Sequence, residues 1–256
     1  MSFDGFDDEL YWNEHQWEAH LNELENRSAQ LRKFITSDPK GNLPRWVTLL
    51  RENSDEGDAV DAFIEEELLL DDAYFPEDED DWEDEEEDWD EDDLFLQDED
   101  FLFSDEDEED FDEGEEWKSL SDDFIYSDYG SLENLDIYID ARKFAVDVLK
   151  WAESVDTKDH NPSYHDFVNN ILKIGAKLAG GYSFGFEQDF LGGNIAYNKK
   201  ALYCANKALN LLQVQREAPY MNPSSYKKLH VRLFELRNDI GIYVQQLRDR
   251  FNFGLE

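Results

Sequence analysis

From Glu52 to Trp117 the chain has no lysine, arginine or histidine, and 38 of these 66 residues are aspartate or glutamate. Such a composition belongs with charge runs rather than packed cores, since each buried carboxylate needs a partner and none is supplied nearby. It also opposes a free helix, because like charges four residues apart each cost about 0.2–0.5 kcal/mol. The run is therefore predicted to be largely disordered alone, and from residue 71 onward to separate a helical element before it from a folded domain after it.

The run is not purely acidic. Phe75, Trp82, Trp89, Leu96 and Phe103 recur every seventh residue, with Phe95, Phe101, Phe111 and Trp117 between and beyond them. Seven residues are two helical turns, so neutralising the carboxylates would let these side chains form one stripe. Carboxylates substituting for phosphates against Lys/Arg patches, with aromatic anchors for selectivity, predict engagement of a basic partner protein such as a nucleic-acid-binding protein. These nine residues are the expected partner-binding set.

Charge divides the chain in two. Residues 1–134 hold 7 Lys+Arg and 51 Asp+Glu, a net −44, and residues 135–256 hold 16 and 14, a net +2, so the whole acidic excess behind the net charge of −42 lies in the first part. A salt-adapted protein would be acidic throughout, which argues for a dedicated acidic segment. The same field disfavours direct binding of a nucleic acid. The near-neutral half carries two basic clusters, Lys199, Lys200 and Lys207 and Lys227, Lys228 and Arg232, on which the acidic run could fold back. The start "MSFDGFDDELYW" has no basic or apolar leader region, and no run approaches the ~18 apolar residues of a membrane span. The expected address is the cytoplasm, without membrane insertion.

On either side of the run, and in its first twenty residues, the periodicity is helical. Asn13 and Gln16 have the spacing of a capping box ahead of Trp17, Leu21, Leu24, Ser28, Leu31 and Ile35, which predicts a helix over 13–36. Pro44 opens a short helix through "RWVTLL", and Val60, Phe63, Ile64 and Leu68 mark a third. After residue 134 four stripes follow: Ile137 to Val155, Phe167 to Leu178, Leu191 to Leu212, and Tyr226 to Leu247, the second and fourth beginning at Pro162 and Pro223. The predicted fold is all-α. A small N-terminal helical element (1–70) and an acidic, aromatic-studded segment with its bridge (71–134) precede a C-terminal four-helix bundle (135–256).

Six of thirteen glycines fall in "KIGAKLAGGYSFGFEQDFLGGNIAYNKK", residues 173–200. Gly175 and Gly180 have the spacing of a phosphate-binding loop, but Gly181 and Tyr182 stand where Lys and Ser/Thr are required. A dinucleotide loop would have to follow a strand, and the preceding residues read as helix. Packing and turns are expected instead, with Gly180 or Gly181 as the positive-φ helix stop. The alternative is a site at 175–193 that binds a small ligand or carries out chemistry, formed by Tyr182, Phe184 and Phe186 with Glu187, Asp189, Asn194 and Asn198, the acidic segment then being a solubiliser; on the helix seam, Asn198 would otherwise set register. The histidines, including His160 and His165, read as surface residues, and Cys204 as a buried hydrophobe. No metal site, cofactor or catalytic constellation is indicated, so the expected protein is a non-enzymatic interaction protein.

Overall fold

The computed structural model describes residues 12–31, 43–72, 126–127 and 130–254. Seven helices make up nearly all of it: α1 (Glu14–Leu31), α2 (Arg45–Glu52), α3 (Glu56–Asp72), α4 (Asp136–Glu153), α5 (Pro162–Ser183), α6 (Gln188–Val214) and α7 (Pro223–Phe253). A two-residue antiparallel pairing, Tyr126 with Ser131 and Ser127 with Gly130, leads into α4. The fold is all-α, and α4 to α7 form the four-helix bundle: each packs on the next in sequence, and α4 closes on α7. None of the described helices is long and apolar enough to cross a membrane.

The helix ends follow their local chemistry. Asn13 Oδ1 accepts from the His15 and Gln16 amides at 2.9 and 3.1 Å, and the Asn13 amide donates to Gln16 Oε1 at 2.9 Å, a complete capping box. Asn161 and Asn222 cap α5 and α7, each followed by a proline at the first helical position, where the missing N–H costs nothing. Gly254, at φ 60°, closes α7 in the left-handed conformation. Helix α1 ends at Leu31, and the last part of the stretch predicted to continue it, 32–36, lies outside the described residues.

The stripes of α4 and α7 face the core as their spacing requires, with Val148, Leu233 and Ile240 fully buried. Helix α5 differs from a one-stripe helix. It is buried on most of its circumference from Phe167 to Tyr182, because α3 covers the side that the bundle leaves open. Trp46, Leu49, Val60, Phe63 and Ile64 of α2 and α3 belong to the same apolar cluster as the bundle stripes. Leu21 and Leu24 of α1 form a second cluster with Ala196 and Tyr197 of α6, flanked by Trp17 and Phe184.

Candidate functional site

The glycine-rich stretch is where the N-terminal helices meet the bundle. Its connection is short: α5 runs to Ser183 and α6 starts at Gln188. The helix stop is neither Gly180 nor Gly181, both of which lie inside α5; the positive φ, 83°, belongs to Gly185. The helical glycines serve close approach. A Cβ on Gly175 would stand 3.2 Å from Ile64 Cδ1 of α3, one on Gly180 2.9 Å from the Tyr197 ring, and one on Gly192 2.5 Å from the Trp12 carbonyl oxygen. One on Gly193 would stand 2.5 Å from Phe184 Cδ1.

The residues proposed to line a pocket here are placed as follows. Phe184 is packed between Trp17 and Tyr197, with ring centroids 5.0 and 5.3 Å away. Tyr182 is buried and meets Phe186 edge-on, and the Arg250 guanidinium covers Phe186 at 5.3 Å. Glu187 and Asp189 are exposed. Asn194 and Asn198 are fully buried. Asn194 Nδ2 donates to the Gly185 carbonyl at 2.8 Å, tying the connection to α6, and Asn198 Nδ2 donates to Asn194 O and Oδ1 at 2.9 and 2.7 Å. Gly181 leaves room for that amide, since its Cβ would come within 2.6 Å of Asn198 Nδ2. Asn198 Oδ1 has no hydrogen-bond partner among the described residues.

Around this packing runs a set of ion pairs. Arg248 of α7 holds Glu14 in a two-pronged contact at 2.7 and 2.9 Å, and Lys199 reaches Glu18 at 2.6 Å and Glu14 at 3.4 Å. The Arg248 hydrogen bond, against the opposing effect of burial and with help from Lys199, holds the Glu14 carboxyl below the usual range. Glu25 pairs with Lys200 at 2.8 Å and with the buried Lys177 at 3.3 Å, whose ammonium also lies over the Tyr197 ring. Burial alone would raise the Glu25 carboxyl, but the two lysines together bring it below its ordinary value. Lys199 and Lys200 are thus engaged by α1.

Three further residues depart from the sequence reading or complete it. His160 and His165 are half-buried rather than on the surface: His160 stacks on Tyr164 at 4.5 Å, and His165 packs against Trp46 at 5.6 Å, where burial lowers its pKa. Cys204 is buried, and burial pushes its thiol up despite Lys173 and Lys177 nearby. No protein-family model, curated protein or solved structure matches this chain.

Phe75, Trp82, Trp89, Phe95, Leu96, Phe101, Phe103, Phe111 and Trp117 lie outside the described residues. What sequence reasoning missed is the clamp on α1. Its partners Glu14 and Arg248 are 234 positions apart, and only the charge of each was visible in the chain.

Proposed function

We propose that the protein is a non-enzymatic interaction protein whose acidic, aromatic-studded segment engages a basic partner protein, by mimicking a polyanion or shielding the partner's basic surface. The observation that carries this reading is where unpaired charge resides. Residues 73–125 hold 30 acids and one lysine, a net −29 out of −42. In the folded body, by contrast, many of the acids already have cations: Asp61 with Arg142, Glu66 with Arg45, Glu14 with Arg248, Glu25 with Lys200. So large an excess of acids over bases attracts a basic surface over long range, and Trp82, Trp89, Phe101 and Phe103 supply apolar anchors that distinguish one basic surface from another. The role calls for no cofactor, and the expected partners include nucleic-acid-binding proteins encountered in the cytoplasm.

The second reading, a ligand pocket at 175–193, is favoured by one observation, the buried Asn198 Oδ1 without a partner among the described residues. The close contacts that fill the neighbouring glycine positions weigh against it.

Affinity capture with the full chain and with a chain lacking residues 71–117 separates the two. Basic proteins retained at low salt, released near ~0.5 M salt and lost with the deletion are the expected result. Capture that survives the deletion sinks the interaction reading. A W82S/W89S/F101S/F103S chain, of unchanged charge, is expected to keep binding poly-lysine while losing most of the captured partner.

A further inference from the structure

A groove of about 630 Å³ lies between α4 and the first turns of α7. Phe144, Trp151, Leu229 and Val231 give it apolar walls, and Lys227 and Lys228 stand at its edge. It continues into a depression of about 460 Å³ that shares Asp147 and Arg232 and adds Lys143 and Lys150. Arg232 is paired with Asp147 and lies over the Phe144 ring at 5.1 Å. The lysines are different. Of the ten among the described residues, Lys158, Lys173, Lys177, Lys199 and Lys200 hold ion pairs. Of the remaining five, four edge these two depressions, and the other is Lys207. The smaller depression also carries Asp55 and Glu56, but an apolar floor with four lysines that hold no ion pair among the described residues fits an acidic peptide with aromatic anchors.

The chain contains such a peptide on a short tether. We propose that residues 101–117 dock in this groove, placing Phe111 and Trp117 on its apolar walls and the intervening carboxylates on Lys143, Lys150, Lys227 and Lys228. Residues 101–117 carry ten acids and no basic residue. Trp117 is nine positions before Tyr126, a reach of ~30 Å when extended. Phe144 lies eight positions into α4, about 12 Å along its axis. A tether of that length keeps the peptide at high effective concentration beside the groove. The lysines of Lys199–Lys207, the other basic cluster, are poorer hosts, because Lys199 and Lys200 are held by Glu14, Glu18 and Glu25.

The contact stands on the groove and needs no outside partner, but it bears on the proposed function. A basic protein would have to displace the groove lysines from residues 101–117, so the groove sets the affinity above which the segment is released.

Zero-length carbodiimide coupling of the full chain at low salt, followed by peptide mapping, tests the contact. Coupling of the four groove lysines to acids in 105–116 is expected, at about tenfold the yield seen for Lys207 and falling severalfold in ~0.5 M salt. A F111S/W117S chain retains every charge and is expected to lose most of that yield. The Lys200–Glu25 coupling reports an intact fold in each sample. Equal yields at Lys207 and the groove, coupling only between isotopically distinct copies, or an undiminished yield in F111S/W117S would each overturn the docking. None of these results bears on whether the segment captures a basic protein, which the capture experiment decides separately.

Discussion

Gly193 and Gly241 both sit inside helices and differ in what surrounds them. A Cβ on Gly193 would collide with Phe184, whose ring is held between Trp17 and Tyr197, whereas a Cβ on Gly241 meets nothing within 4 Å. Gly193→Ala is therefore expected to destabilise by about 1–3 kcal/mol as the aromatic packing shifts. Gly241→Ala is expected to stabilise by about 0.5–1 kcal/mol, since alanine loses less backbone entropy in a helix. Urea denaturation of both variants checks the pair, and shifts of the same sign would show that Phe184 is not what requires Gly193. Packing as the reason for the glycines was legible in the sequence, because Gly181 and Tyr182 stand where a phosphate loop needs Lys and Ser/Thr. Which glycine turns the chain was not. Gly180 and Gly181 read as a helix stop, but their missing Cβ atoms make room for Tyr197 and Asn198, and the turn falls to Gly185.

At the scale of the element, α1 carries its own start signal and borrows its attachment. The Asn13–Gln16 box is local and readable, while the Glu14–Arg248 contact depends on the tertiary fold. The attachment is expected to be acid-sensitive. Glu14 titrates below its ordinary 4.5 in the folded state, so its contribution is fully present above that value and is lost as the pH falls through the lowered one. Methyl resonances of Leu21 and Leu24 followed from about pH 7 to about pH 3 are expected to show α1 loosening before Leu233 in the bundle core is disturbed. In E14Q the loosening should already be present at neutral pH, with that part of the pH dependence gone. An E14Q chain that titrates like the parent would remove Glu14 from the account.

For the whole molecule, the helical stripes foretold the bundle but not how the remaining side of α5 is covered. One apolar stripe was counted on α5, and the broader burial became intelligible only with α3 in place, its Ile64 against Gly175. Burial of side chains such as Trp46, Val60, Phe63 and Ile64 stabilises by about 1.5–3 kcal/mol each. Residues 135–256 alone are accordingly expected to be helical by circular dichroism yet to unfold at lower urea than the full chain. Matching midpoints would mean that α2 and α3 add nothing to the bundle's stability. The Glu14–Arg248 clamp also has a consequence in time. On a ribosome adding about 5–20 residues per second, Arg248 emerges roughly 10–50 s after Glu14. Helix α1 therefore waits through the synthesis of the intervening 234 positions for its contact with Arg248, and Leu21 and Leu24 stay uncovered until α6 arrives.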